Sequence, residues 1–498
     1  MSRLRPVLAW AAGAASVLAY APFEYFPLAA VALAVLYALL GRAADAAITP
    51  GARRRAGFLI GWAWGFGALG AGVSWLYVAL HRFGGMPMPL AGSAIALFCA
   101  VMALFAGGAG ALFADLRRGR PWADAALFGA LWLLTEWTRG WLFTGFPWLV
   151  SGYSQTPPSP LAGFAPVFGV FGVGGLLAWI AALLAEAVTR RRIACAGLVL
   201  LVGAGGAALR PVAWTVPVGA PLQVALLQPN MEQDLKWRPD MLPRWLDIHL
   251  ELLRNNPATL VVLPETTLPL LLEHLPDGYL DALTRSAAVG GDAILGAFVR
   301  DGDGRIFNAA VSVGRSPTQH YAKHHLVPFG EYSPPLFRWF YDLVHIPMAD
   351  QTRGAEVQPP MSLAGQKIAV NICYEDVFGE ELIRALPEAT LMLNLSNLAW
   401  YGDSFAQPQH LQIARLRALE SGRPMLRATN TGMTGLVQPD GTVSAALPAF
   451  TRGALQVAVR GYTGSTPYGR WGNGPAVGLA ALVVLVVLAG RVRGRTPI

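Results

Sequence analysis

Hydrophobic and polar positions along the chain follow two rhythms, and the change between them falls near residue 210. Before it, long apolar runs alternate with brief basic interruptions, at about residues 6–21, 24–41, 57–80, 88–115, 122–140, 164–188 and 193–209. Each is near the ~20 residues an α-helix needs to cross a bilayer core, so the pattern predicts seven membrane helices within residues 1–210. The first run follows Arg3 and Arg5 and has the basic start of a signal peptide; the runs behind it argue against cleavage. From Leu222 the apolar runs shorten to strand length between turn residues, at 222–228, 259–265, 293–299, 367–375 and 389–397. The DGDGR stretch at 301–305 is a hairpin signal leading into a further strand. Helix-like patterns at 244–254, 279–288 and 407–421 make residues 211–470 a mixed α/β domain. An eighth apolar run near 475–490 makes 471–498 a last membrane helix with its tail.

Composition agrees with the hydropathy pattern. The chain is 54% hydrophobic and 14% charged, with a mean hydropathy of +0.43, beyond ordinary soluble usage. A net charge of +8 would suit nucleic acid, but the arginines cluster in short loops between apolar runs, where they orient a membrane protein. No nucleic-acid partner is expected. With alternate loops on opposite sides, one side carries Arg3 and Arg5, Arg42 with Arg53, Arg54 and Arg55, then Arg117, Arg118 and Arg120, then Arg190, Arg191 and Arg192, and finally Arg491, Arg493 and Arg495. The opposite short loops hold Arg82 and Arg139. This asymmetry predicts cytoplasmic termini and a domain at 210–474 on the outer face. A transporter is disfavoured, because the spans show no chain of buried charges that would form an ion path.

Candidate chemistry lies in the outer domain. Cys99 and Cys195 fall inside apolar runs, whereas Cys373 in KIAVNICYEDVF follows a short apolar strand and precedes Glu375 and Asp376. A nucleophilic thiol needs a base, and acyl transfer also needs donors for the oxyanion. Glu265 in VVLPETTLP stands just past a buried strand, the place for a general base. Lys323 in YAKHHLVPFGEY supplies a fixed cation for thiolate and oxyanion. His324 and His325 are chain neighbours rather than a ligand pair, and no cluster has metal spacing, so neither metal nor cofactor is expected. In the membrane half, Glu136 and Arg139 are spaced to pair, and Trp141, Phe143, Phe146 and Trp148 suit the headgroup boundary. His81 and Arg82 stand at another outer helix end, in reach of a lipid phosphate.

In this order and these contexts, Glu265, Lys323 and Cys373 resemble the Glu-Lys-Cys triad of the nitrilase, or carbon-nitrogen hydrolase, superfamily. The resemblance implies an α-β-β-α sandwich with the triad at strand ends. With about eight spans around such a domain, together with TEWTRGWLFTGFPWL and KHHLVPFGEY, the chain is similar over nearly its whole length to the bacterial apolipoprotein N-acyltransferases. That resemblance implies transfer of an acyl chain from a phospholipid, typically phosphatidylethanolamine, to the α-amine of the N-terminal S-diacylglyceryl cysteine of an apolipoprotein. It implies a Cys373 thioester and ping-pong kinetics, with Lys323 and the Tyr374 N–H holding the oxyanion. It also implies supporting roles for Tyr374, Glu331 and Glu375, and substrate contacts for Trp237, Phe146 and Trp148. The expected setting is the bacterial inner membrane, crossed several times, with the catalytic domain periplasmic and the protein a monomer. Where many relatives carry Asp and a second Trp, this chain reads Asn397 and Leu398, so the loop around Asn394, Ser396, Asn397 and Trp400 is given no catalytic role. The aromatic run at 334–347 is the candidate mobile arm over the site. The competing reading is a membrane-tethered nitrilase-like amidase, in which water resolves the thioester.

Overall fold

The computed structural model describes residues 4–333 and 350–493, so the candidate arm at 334–347 lies outside the described residues. The chain divides into two units, Met1–Leu76 with Pro89–Val212 and Trp471–Ile498, and Tyr77–Met88 with Ala213–Arg470.

The first unit is helical, and each apolar run of the sequence forms helix. Four helices among the described residues are long and apolar enough to cross a membrane: Pro27–Ala46, Met88–Leu116, Pro160–Arg190 and Gly474–Arg491. A fifth is reached if Pro50–Gly72 and Leu76–Phe83, bent by 62°, count as one span. Length and apolarity by themselves therefore show four to five of the eight expected spans. Leu4–Ala19 and Ile193–Leu209 are shorter, and Pro121–Arg139 carries Asp124, Glu136 and Arg139, which dilute its apolarity. Small residues set the packing. A Cβ on Gly13 would stand 2.0 Å from the Trp64 carbonyl oxygen, and one on Gly67 2.2 Å from that of Trp10, so Leu4–Ser16 and Pro50–Gly72 touch backbone to backbone.

The second unit holds the strands β1 (Thr215–Gln228), β2 (Leu260–Val262), β3 (Leu268–Leu271), β4 (Asp292–Arg300), β5 (Ile306–Gly314), β6 (His320–Ala322), β7 (Met361–Leu363), β8 (Gln366–Ile372), β9 (Leu391–Ser396), β10 (Met425–Thr429), β11 (Gly435–Val437), β12 (Val443–Ala446) and β13 (Gly453–Gly464). They form two sheets, ordered β13-β1-β2-β4-β5-β6, with β3 on β4, and β12-β11-β10-β9-β8-β7.

Because side chains alternate across a strand, each sheet has two apolar faces to bury. Val224, Leu226, Val262 and Ile294 of the first sheet share one core with Ile368, Val370, Ile372, Leu393 and Leu426 of the second. The alternate residues Ala225, Leu227, Val261 and Leu295 pack with Leu246, Leu253, Leu283 and Ala287 of the helices Leu242–Asn255 and Tyr279–Gly290. On the other outer face Ala369, Met392 and Met425 meet Leu411, Ala414 and Ala418 of Ala406–Ser421. The layers are therefore α-β-β-α. Tyr77–Met88 groups with this unit rather than with the helices that flank it in sequence. Its Phe83 ring lies 6.0 Å from Trp400, edge to face, and Arg82 pairs with Asp234 at 3.0 Å.

Candidate active site

The ends of β2, β6 and β8 bring three of the sequence candidates together. Glu265 follows β2, and β4, the parallel neighbour of β2, runs close against its turn. A Cβ on Gly296 would lie 2.5 Å from the Thr266 nitrogen and 2.7 Å from the Glu265 Cα, so only glycine allows the Glu265 turn to sit this low. Gly296→Ala is expected to displace that turn by about 1 Å and slow acyl transfer about 100-fold, the cost of such a misplacement at a reacting group. Comparing N-acylation rates of the two proteins measures it.

Lys323 comes directly after β6 and is 1% exposed. Its N–H donates to the Asn308 carbonyl at 2.8 Å and its own carbonyl accepts from Gly354 at 2.8 Å, which fixes the backbone. Its Nζ donates to Glu331 Oε1 at 2.6 Å and to Glu265 Oε1 at 3.3 Å. Burial works against the ammonium, but the charges of Glu265 and Glu331 more than offset it and hold Lys323 well above its ordinary value. The group is a permanent cation, suited to stabilising negative charge and unsuited to accepting a proton.

Cys373 opens the turn after β8 and adopts φ +54°. An L-residue seldom enters the left-handed region; at a strand-to-helix corner this strained geometry turns a nucleophile outward. Burial and the charges of Glu265 and Glu331 push the thiol well above its ordinary value, while Lys323 acts the other way. The resting group is a thiol and needs a base at the moment of attack.

Glu375, 2% exposed, ties the thiol's turn to the lysine's. It accepts from the N–H groups of Ile372 (2.7 Å), His324 (2.7 Å) and His325 (3.0 Å) and from the Tyr321 hydroxyl (3.0 Å). Burial raises it to about 7, and the hydrogen bond from His325 and the charge of Lys323 pull against that rise. Beside it, Asp376 bonds His410 Nε2 at 2.7 Å and Arg427 Nη1 at 2.9 Å. This pair keeps the buried carboxylate compensated.

Of the other candidates, Glu331 joins the cluster. The Tyr374 ring packs edge-on to Phe378 at 5.2 Å. Trp237 lies in the same unit, with its ring 6.2 Å from Phe298 and its Nε1 buried without a hydrogen-bond partner among the described residues. Phe146 and Trp148 belong to the helical unit. Phe146 stacks edge-on with Phe98 at 4.9 Å, and Trp148, 3% exposed, packs on Trp75 at 5.1 Å.

Three groups were not among the sequence candidates. The Asn308 amide donates to Glu265 Oε1 at 2.9 Å and Glu331 Oε1 at 3.3 Å, bridging both carboxylates. An amide in the middle of the apolar stretch IFNAAVSV was the available signal. The Asn397 N–H donates to Glu265 Oε2 at 2.9 Å, so the loop set aside in the sequence reading contributes a hydrogen bond to the cluster. Tyr401, raised by burial and by the charges of Cys373 and Glu331, stands in the field of the same cluster, and no sequence pattern pointed to it.

A buried carboxylate, a clamped lysine and a strained cysteine thus come together within the sandwich, and the carbon-nitrogen hydrolase family model matches residues 223–468. The model of the apolipoprotein N-acyltransferase N-terminal domain matches residues 12–183. Along the full length the chain is 47% identical to the apolipoprotein N-acyltransferase of Nitrosomonas europaea, covering 98% of this chain and 97% of that one. It is 45% identical to that of Ralstonia nicotianae, covering 99% and 95%, and 41% identical to that of Methylococcus capsulatus, covering 98% and 96%. The chain belongs to the apolipoprotein N-acyltransferase family.

Proposed function

We propose that this enzyme moves an acyl chain from a membrane phospholipid, phosphatidylethanolamine being the expected donor, to the α-amine of the S-diacylglyceryl cysteine that begins an apolipoprotein. The observation that carries this reading is the Glu265–Lys323–Glu331 cluster acting on the Cys373 thiol in a chain of this family. Glu265 takes the proton from Cys373, and sulfur attacks the ester carbonyl. Lys323 and the Tyr374 N–H hold the oxyanion. The C–O bond breaks, the proton passes to the lysophospholipid oxygen, and an S-acyl cysteine remains. The lipoprotein amine then displaces sulfur. Glu331 and Asn308 orient the cluster, and Glu375 holds the two turns in register. Trp237, Phe146 and Trp148 are proposed to contact lipid or lipoprotein.

Eight spans, with 1–210 and 471–498 in the inner membrane and 211–470 periplasmic, would put the thiol beside its lipid donor. The arginine asymmetry supports that orientation, with the termini cytoplasmic. The enzyme is proposed to act as a monomer. Incubation with phospholipid labelled in its acyl chain is expected to leave label on Cys373, and a diacylated lipopeptide is expected to remove it as amide. Label released as free fatty acid, whether or not lipopeptide is present, would favour the amidase-like alternative instead.

A further inference from the structure

The second half-reaction produces a proton that the Glu265–Cys373 pair cannot absorb. When an α-ammonium attacks an S-acyl cysteine, the N–C bond forms, the C–S bond breaks, nitrogen gives up two protons and sulfur takes back one. Glu265 can carry one proton from nitrogen to sulfur, and the other must go elsewhere. An α-amino group ordinarily titrates near ~7.7–8.0, so at pH 7 it arrives charged. The first half-reaction has no such surplus, because the Cys373 proton leaves on the lysophospholipid oxygen.

Two buried lysines act on Glu265, and their surroundings differ. Lys323 touches two carboxylates and stays charged. Lys236, at the end of the turn Gln233–Lys236, is equally buried at 1% exposure, but its hydrogen bond is to the neutral hydroxyl of Thr266. A buried ammonium without a contacting carboxylate is costly. Burial accordingly pushes Lys236 down to about 7, with the Glu265 charge acting in the opposite sense. Thr266 is the chain neighbour of Glu265, is 6% exposed, and is held at φ +46°, a conformation kept only where the surroundings enforce it.

The other groups facing Lys236 do not compete. His249, from Leu242–Asn255, lacks a hydrogen-bond partner on either nitrogen among the described residues. It is pushed down to about 3 by burial, then by the charges of Lys236 and Arg452, so it stays neutral. Asp234, on the same turn, is half exposed and paired with Arg82.

Taking Cys373 and Glu265 in the roles given above, we propose that Lys236 accepts the surplus proton of the acceptor amine through the Thr266 hydroxyl. The hydroxyl takes a proton on oxygen as it passes its own to the lysine nitrogen. Lys236 thus ends the second half-reaction charged, and loses its proton to solvent before the next cycle. The requirement belongs to thioester clearance rather than to thioester formation.

The test follows the two half-reactions separately in full-length wild type, Lys236→Met and Thr266→Val in detergent or vesicles, with labelled phosphatidylethanolamine and a diacylated lipopeptide. Clearance in both variants is expected to slow at least ~100-fold more than formation at pH 7, the range of a lost acid–base group. That gap is expected to shrink to less than ~10-fold at pH 9, where the amine arrives unprotonated. Equal slowing of both half-reactions, or a clearance defect of the same size at pH 7 and pH 9, overturns the proposal, because a merely structural lysine would act that way. Label that forms and clears normally in Lys236→Met also overturns it and leaves the Cys373 reading standing. A wild type that takes no label on Cys373 overturns both.

Discussion

Cys373→Ala is expected to abolish the labelled acyl adduct and to lower N-acylation by at least ~10⁴-fold, the scale seen when a nucleophile that works as a unit with its base is removed. In the proposed mechanism sulfur carries the acyl group from donor to acceptor. Neither Lys323, held charged between Glu265 and Glu331, nor Glu265 can substitute for it. Fold stability should change little, because alanine keeps the Cβ at φ +54° and leaves the Asn394 bond to the residue 373 carbonyl, 3.1 Å, in place. A thermal midpoint within a few degrees of wild type, together with a dead enzyme, is the expected pair of readings. Retained N-acylation would remove Cys373 from the mechanism.

Glu265→Gln is the second large effect, with a loss of ~10²–10⁴-fold at pH 7 from removal of the general base. The substitution also removes a charge, and its sign can be worked out. Glu265 is among the groups that push the Cys373 thiol up, after burial, while Lys323 pulls it down. With a neutral amide at 265 the upward push weakens and the pull of Lys323 remains, so the thiol should titrate at lower pH than in wild type. The rate of alkylation by iodoacetamide, followed against pH, is expected to rise at lower pH in Glu265→Gln and at higher pH in Lys323→Met. Equal profiles in the three proteins would mean that the two charges do not act on the sulfur. Residual acyl transfer in Glu265→Gln should climb with pH, because thiolate formed by solvent replaces thiolate formed by the base.

These effects share a cause in the construction of the site. The corner at Cys373 is strained, the lysine is dehydrated, and one buried and one half-buried carboxylate share a cluster, each feature costly alone. Glu375, Asn308 and the Asn397 N–H supply the hydrogen bonds that make the arrangement tolerable. The cluster is thus preorganised, so that little rearrangement is needed when charge develops on the ester oxygen.

Local pattern carried far in this chain. Short apolar runs between turn residues located β1, β4, β5, β8 and β9, because strands buried on both faces read as continuous apolar segments. Strand alternation explains the layers, since Val224 and Leu226 face one core while Ala225 and Leu227 face another. Glu265 and Cys373 were legible as candidates because each follows a short apolar run, and Lys323 because it stands beside two histidines and ahead of a Pro-Phe-Gly turn. The apolar runs located the helices of the first unit as well, but hydropathy did not decide how many cross a bilayer. Span count depends on length and on what charges such as Asp124 and Glu136 meet inside the bundle, and neighbouring helices settle that.

What the sequence alone determined is therefore the set of elements and the three chemical groups, since these depend on periodicity and residue type over a few positions. What only the tertiary structure decided are relations between residues far apart in the chain. Asn308 bridges Glu265 and Glu331, the Asn397 N–H completes Glu265 from 132 positions away, and Gly296 makes room for the base. Lys236 and Lys323 are both plain lysines in the sequence. One is clamped by two carboxylates, while the other hydrogen-bonds a hydroxyl and lies 5.9 Å from the Trp237 ring, and that difference, made by the fold, underlies the roles proposed for them.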